Sequence, residues 1–146
     1  MNVNSVRILL AEDNDDDVVL IKEALQEGHL LNLMQVVKDG EEAMAYLRCE
    51  GKYKDAERPG LVLLDINMPK KNGFEVLDAI KGDAKLCQIP VVMLTSSSRE
   101  EEVVKAYSKG ACTFIRKPVS FDEFQNTVKQ FALYWALVAT IPNRNP

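Results

Sequence analysis

Short apolar runs that end in acidic or hydroxyl side chains recur along this chain. The three clearest runs cover residues 7–11, 61–64 and 91–94, and they are followed in turn by Glu12-Asp13, Asp65 and Thr95. Uninterrupted aliphatic runs are typical of parallel strands covered on both faces, whereas alternation indicates a strand with one face in water. The pattern therefore predicts buried strands whose last residues bring polar groups to one edge of a sheet, and Asp65 is expected to emerge where that edge meets solvent.

Helical periodicity fills the segments between these runs. The predicted helices cover residues 15–27, about 39–47, 74–81, 98–110 and 121–139, with capping residues such as Asn14 and Ser98 at their starts. Two further strands are predicted at 33–37, which suits a sheet edge, and at 112–115. Five strands that alternate with five helices indicate an α/β fold, with a parallel sheet, helices on both faces and right-handed crossovers.

Composition narrows the function classes. The 146 residues are enough for one domain with a sizeable core, and the net charge of −4 argues against a general nucleic-acid binder. Cys49, Cys87 and Cys112 show no zinc-like spacing, so we expect reduced thiols in a cytoplasmic protein. The longest nearly apolar run, residues 131–141, is about half of the ~20 residues that a spanning helix requires, so no membrane segment is expected.

The strand ends indicate a metal site. Parallel sheets bind ligands beyond the carboxyl ends of their strands, where Glu12, Asp13 and Asp65 are expected to meet. Like charges repel by about 4 kcal/mol per pair at 4 Å and an effective dielectric near 20, and a divalent cation removes that conflict. Magnesium prefers such oxygen ligands. Asp13 and Asp65 are the predicted direct ligands, and Glu12, partly through water, and the backbone carbonyl of Asn67 complete the set.

The same residues suit phosphoryl transfer to a carboxylate. Asp65 is the predicted nucleophile, which would form an acyl phosphate. The Thr95 hydroxyl and the Lys117 ammonium group would stabilise the phosphoryl oxygens. Taken singly, Thr95 is as well explained as a turn hydroxyl and Lys117 as a solvated lysine. Their joint placement at strand ends favours the site.

Three other function classes remain open on the residues alone. A haloacid-dehalogenase-type phosphatase also uses an aspartate nucleophile, but it needs a second acid two residues later, where this chain has Asn67. A flavodoxin-like nucleotide or flavin binder needs a loop rich in Gly, Ser or Thr after strand 1, where residues 12–17 are acidic. The third class is a flavodoxin-like interaction module that does not depend on phosphorylation.

These motifs together resemble the receiver domain of two-component response regulators. The match rests on Glu12-Asp13, on residues 65–69 with Gly73, on Thr95-Ser96 and on Lys117-Pro118, in that order. The resemblance implies a flavodoxin-like (βα)5 fold with strand order 2-1-3-4-5. It also implies Mg²⁺-dependent phosphoryl transfer from a histidine kinase to Asp65, followed by slow self-catalysed hydrolysis, so the protein would not be an enzyme acting on free substrates.

The resemblance further implies a switch. Thr95 and the aromatic position Phe114 would respond to phosphorylation and reshape the surface formed by helix 4, strand 5 and helix 5. Phe114 is also well explained as an ordinary core residue. Asn67 and Ser97 flank the path of water to the phosphoryl group, and their identity is predicted to tune the dephosphorylation rate.

The C-terminal helix is more apolar than one core-facing stripe requires. Tyr134, Leu137 and Ile141 lie off that stripe and form either a broader core face or a pairing surface. This ending, the acidic residues 12–17 and the insertion at 50–59 resemble single-domain regulators that serve phytochrome-type histidine kinases, which implies homodimerisation through the C-terminal region. We expect one receiver domain over residues 1–146, with its core at about 5–133, an extended helix and tail at about 134–146, and no output domain.

Overall fold

The described residues form one five-stranded parallel sheet with helices on both faces. The computed structural model describes residues 7–27, 34–95, 108–111 and 113–116, together with residues 105, 122 and 126. The strands are β1 (Ile8–Ala11), β2 (Met34–Val37), β3 (Leu61–Asp65), β4 (Val91–Thr95) and β5 (Thr113–Arg116); the helices are α1 (Asp15–Glu27), α2 (Gly40–Leu47) and α3 (Gly73–Lys81). The strand order is β2-β1-β3-β4-β5, which confirms the predicted flavodoxin-like topology.

The strand register aligns the polar strand ends. Ala11 of β1 pairs with Leu64 of β3, so the next residue of each strand, Glu12 and Asp65, reaches the same level. Asp65 pairs in turn with Leu94 of β4, and Thr95 follows one residue later. The register therefore brings the polar residues that the sequence predicts to one edge of the sheet.

The core has one layer on each face of the sheet. Leu64 and its same-face neighbours pack with Leu77 and Ile80 of α3 and with residues of α2. Leu63 and Leu10 face the other way and pack with Ile21 of α1. Because successive strand residues point to opposite faces, a sheet covered on both sides requires the uninterrupted aliphatic runs seen in the sequence.

Side-chain caps fix the starts of the three helices. The Asn14 Oδ1 accepts a hydrogen bond of 3.1 Å from the backbone N–H three residues later, and Asp39 caps α2 in the same way at 2.8 Å. At α3, Asn72 accepts from the Glu75 N–H at 3.0 Å, while the Glu75 carboxylate accepts from the Asn72 N–H at 3.1 Å. This reciprocal pair is a capping box, which holds the first turn of α3.

Helix α3 also contacts residues of the predicted fourth helix. The Lys105 Nζ lies 4.5 Å from the centroid of the Phe74 ring, a distance suited to a cation–π interaction. The Lys109 Nζ donates to both carboxylate oxygens of Asp78 at 3.0 Å. Two lysines of the following segment therefore contact α3, at residues one helical turn apart.

The predicted boundaries agree closely with the structure. Helix α1 has the predicted bounds, and α3 and β5 each begin within one residue of the predicted position. The insertion at 50–59 contains one 3-10 turn at Gly51–Tyr53. Residues 105 and 108 of the predicted fourth helix and residues 122 and 126 of the fifth have helical backbones, and most of both helices lies outside the described residues. In the described part of the chain, no helix is long and apolar enough to cross a bilayer.

A matched pair of leucine substitutions tests this core. Leu63 is 1% exposed in β3, whereas Leu20 is 40% exposed on α1. We expect Leu63→Ala to lower the free energy of unfolding by about 2–5 kcal/mol, because it removes buried surface and leaves a cavity. Leu20→Ala should change it by no more than about 0.5 kcal/mol. Urea unfolding followed by circular dichroism measures both, and equal losses would contradict the described burial.

Candidate functional site

Three carboxylates meet at the end of the sheet. Glu12 and Asp13 directly follow β1, and Asp65 is the last residue of β3. Each offers one carboxylate oxygen, and these three oxygens lie within 4.8 Å of one another. Glu12 and Asp65 are buried, whereas Asp13 is exposed. The structure thus brings the three predicted acids together, with Asp13 as the member that faces solvent.

Asp65 is more buried than the sequence predicts. We expected it to emerge where the sheet meets solvent, but only 3% of its surface is exposed. There are two reasons: β3 continues through Asp65, which pairs with Leu94, and the start of α3 covers the backbone of the strand end. A Cβ atom at Gly73 would lie 2.4 Å from the Asp65 carbonyl oxygen, so only glycine permits this close approach.

Local hydrogen bonds hold two of the carboxylates. The Asn14 N–H donates to the Glu12 Oε2 at 3.2 Å, and the Asn67 N–H donates to the Asp65 Oδ1 at 3.3 Å. The Glu12 N–H itself donates to the Val37 carbonyl at 3.0 Å, which ties the loop after β1 to the end of β2. Each buried acid thus accepts a hydrogen bond from the backbone of the loop that follows its strand.

The donor set fits a hard divalent cation. All three ligands are carboxylate oxygens, which Mg²⁺ and Ca²⁺ prefer over nitrogen or sulfur ligands. Octahedral ligands at about 2.1 Å from Mg²⁺ lie about 3 to 4.2 Å apart. The oxygens of Glu12, Asp13 and Asp65 lie within 4.8 Å of one another, so small side-chain adjustments would suffice. The site therefore fits the magnesium ion that the sequence predicts, with Asn67 adjacent and exposed.

The structure describes some of the remaining predicted site residues and not others. Thr95 ends β4, is 1% exposed and pairs with Arg116 of β5. Phe114 lies on β5 opposite Met93, and its side chain is outside the described part of the structure. Also outside it are Lys117, Ser97 and the predicted pairing residues, Tyr134, Leu137 and Ile141. Their functions stay predictions.

The rim of the site has features that sequence reasoning missed. Lys70 has a φ angle of 68°, which is rare for a residue other than glycine, and the Lys71 N–H donates to the Pro69 carbonyl at 2.8 Å. Lys38, directly after β2, hydrogen-bonds the Asp15 carboxylate at the start of α1, and this hydrogen bond lowers the pKa of Asp15. The Asp39-Gly40 pair that follows Lys38 is a recognisable turn signal, but nothing in the sequence marks the conformation of Lys70.

A comparison with known families agrees with this fold and site. The model of the family described as "Response regulator receiver domain" matches residues 8–129, which is most of the chain. The chain therefore belongs to the response regulator receiver domain family. This assignment confirms the predicted family.

Its relatives point to one branch of that family. The chain is 36% identical to "Response regulator Rcp1" of Synechocystis sp., and the alignment covers 92% of each chain. It is 43% identical to a solved structure titled "Crystal Structure of the Phosphorylated Cyanobacterial Phytochrome Response Regulator RcpA", with a TM-score of 0.79 over 94% of this chain and 99% of that one. The Mn²⁺-bound form of Rcp1 is 36% identical, with a TM-score of 0.78 and the same coverage. These likenesses confirm the predicted similarity to phytochrome-associated regulators.

Removing one acid tests the metal site. We expect Asp13→Asn to raise the urea midpoint of unfolding in EDTA, because it relieves repulsion among the three carboxylates. The same change should weaken Mg²⁺ binding by about tenfold or more, because a charged ligand is lost. Urea unfolding with EDTA and with a series of Mg²⁺ concentrations measures both effects.

Asp16→Asn is the matched control. Asp16 is an exposed acid in the first turn of α1, outside the cluster. Asp16→Asn should lower the urea midpoint of unfolding slightly, both in EDTA and in Mg²⁺, because a negative charge in the first turn of a helix interacts favourably with the helix dipole. If both variants kept the Mg²⁺ response of the original protein, the three-acid site would be wrong.

Proposed function

We propose that this protein is a phosphoacceptor whose Asp65 receives a phosphoryl group from the phosphohistidine of a sensor histidine kinase. The observation that carries the proposal is the cluster of Glu12, Asp13 and Asp65, which places a buried carboxylate beside two others at the carboxyl end of a parallel sheet. Membership of the receiver domain family supports it.

The transfer needs a carboxylate oxygen as the nucleophile and a cation that neutralises the negative charge of the acids and of the phosphoryl group. An Asp65 oxygen would attack phosphorus and form a P–O bond, while the P–N bond to the imidazole breaks and its electron pair returns to the nitrogen. Glu12, Asp13, Asp65 and the Asn67 carbonyl would hold Mg²⁺, which when bound neutralises the charge of the acids and of the incoming phosphoryl group. The "Mn(2+)-bound form" of Rcp1 supports a divalent cation in a similar chain.

Other residues would bind the phosphoryl group and report its presence. The Lys117 ammonium group and the buried Thr95 hydroxyl are the proposed donors to its oxygens. Phosphorylation adds about −1.5 to −2 charge, and Thr95 and Phe114 would carry this change to the surface of helix 4, β5 and helix 5. Asn67 and Ser97 would tune hydrolysis, so the only reactions assisted would be the gain and loss of the protein's own phosphoryl group.

The proposed kinase is of the phytochrome type. The support is the likeness to RcpA, a cyanobacterial phytochrome response regulator, at 43% identity over 94% of this chain. We place the protein in the cytoplasm, because the kinase that phosphorylates it would need ATP. Neither nucleic acid nor a membrane is a proposed partner.

Chemical phosphorylation tests the acceptor. Incubation with acetyl phosphate and Mg²⁺ should add the mass of one phosphoryl group to the protein, and EDTA should prevent it. Asp65→Asn should abolish the addition, because an amide cannot form the acyl phosphate. Asp83→Asn, in the loop after α3, is the control and should be phosphorylated normally. Intact-mass spectrometry reads all four samples, and an Asp65→Asn protein that still gained the mass would refute the assignment.

We further propose that residues 1–146 form one receiver domain and pair through the C-terminal region. The support is the apolar surface that Tyr134, Leu137 and Ile141 add to the predicted last helix. Sedimentation velocity at micromolar concentrations should show a dimer, and replacing these three residues with serine should give a folded monomer. A monomer before and after phosphorylation would rule the pairing out.

A further inference from the structure

The start of α2 packs backbone to backbone against the site loop, which we define as residues 66–72 between β3 and α3. A Cβ atom at Gly40 would lie 1.9 Å from the Lys71 carbonyl oxygen and 2.7 Å from its carbonyl carbon. Contacts this short with backbone atoms cannot be relieved by rotating a side chain. Position 40 therefore has no room for a side chain. This absence of a side chain determines how closely the site loop approaches the start of α2.

The part of the site loop that Gly40 touches is strained. The Lys71 N–H bonds to the Pro69 carbonyl at 2.8 Å, so residues 69–71 form a γ-turn with Lys70 at its centre. The φ angle of Lys70 is 68°, which corresponds to the rare and strained form of this turn. Such a conformation persists only where the surrounding structure holds it. The contact of Gly40 with Lys71 is one such restraint.

An ion pair adds a second restraint. The Lys70 Nζ lies 3.7 Å from the Asp39 Oδ2, while the Asp39 Oδ1 accepts from the Glu42 N–H at 2.8 Å. Asp39 thus caps α2 with one oxygen and attracts the site loop with the other. Because the Lys70 side chain is 60% exposed, this pair is weaker than the backbone contact at Gly40.

The other end of the site loop is fixed at the acids. The Gly73 N–H donates to the Ile66 carbonyl at 2.8 Å, which closes the base of the loop against the end of β3. Asn67 follows Ile66 and donates to the Asp65 Oδ1 at 3.3 Å. The site loop is therefore held at its base by Gly73 and at its tip by Asp39 and Gly40, and Asn67 lies between these two attachments.

We propose that Asp39 and Gly40 are positioning residues of the metal site, which act on it through the site loop without touching the ion. Holding the tip of the loop fixes the Asn67 backbone relative to Asp65, so the start of α2 sets the affinity for Mg²⁺. This inference rests on the proposed function in one respect, because it takes the Asn67 carbonyl to be a ligand.

Gly40→Ala in the full chain is the principal test. The added methyl group must displace Lys71 or α2, and we expect the Mg²⁺ dissociation constant to rise about tenfold, as when a group that orients a metal ligand is lost. Gly82→Ala is the matched control: Gly82 caps the far end of α3, where a Cβ would lie 3.2 Å from the Asp78 carbonyl oxygen. It should leave the Mg²⁺ affinity unchanged.

A Mg²⁺ titration followed by ¹H–¹⁵N NMR gives the affinity and shows in the same spectra whether each variant is folded. A merely structural role for Gly40 would lower the unfolding midpoint in EDTA and leave the dissociation constant as it was. The affinity, measured on folded protein, therefore separates positioning from stability.

Asp39→Asn keeps the proposal testable if Gly40→Ala does not fold. Asparagine caps helices as well as aspartate does, so the variant should fold while losing its attraction to Lys70. We expect a two- to threefold rise in the Mg²⁺ dissociation constant. Asp78→Asn, which breaks the 3.0 Å pair with Lys109 away from the site loop, is its control and should have no effect.

The outcomes separate this inference from the proposed function. If the original protein binds Mg²⁺ and the folded variants at positions 39 and 40 bind it as well as their controls do, the inference is wrong and the metal site stands. If the original protein itself shows no Mg²⁺ response, the proposed metal site fails and the inference fails with it.

Discussion

The repulsion among three carboxylates is the constraint on which this structure depends. Glu12, Asp13 and Asp65 lie close together because parallel strands end at one edge, and two of them are buried. A fold tolerates such a cluster only if rigid surroundings hold it and a cation or another positive group compensates it. The two-sided core provides the rigidity, since β1 and β3 are covered on both faces. The charge conflict at this rigid edge is what the proposed cation would relieve.

Much of the fold and of the acidic site is readable from the sequence, because both depend on local patterns. The aliphatic runs before Glu12, Asp65 and Thr95 predict buried parallel strands, and the cap at Asn14 marks the start of α1. Parallel strands then place their terminal acids together without any knowledge of side-chain contacts. The site was predictable because topology alone assembles it.

The features that the sequence did not reveal depend on contacts between different elements of the fold. Asp65 was expected nearer to solvent, but its burial results from the close approach of Gly73, which belongs to the next helix. The φ angle of Lys70 and the contact of Gly40 with Lys71 likewise join segments that lie apart in sequence. Lysine carries no signal for a left-handed backbone, and a glycine after an aspartate indicates a turn whether or not another backbone touches it. Tertiary packing decides these features.

Helix α3 links the acidic edge to charges on the molecular surface. Its first residue, Gly73, touches the Asp65 backbone, and its residues Phe74 and Asp78 contact Lys105 and Lys109. A displacement of Gly73 at the strand end would also move these two contacts, whereas the Thr95 hydroxyl lies at the buried end of β4. Exposed ion pairs weaken as salt rises, whereas a buried hydroxyl is insensitive to it. The contacts of α3 with Lys105 and Lys109 are therefore expected to weaken with rising salt, whereas the surroundings of the Thr95 hydroxyl are not.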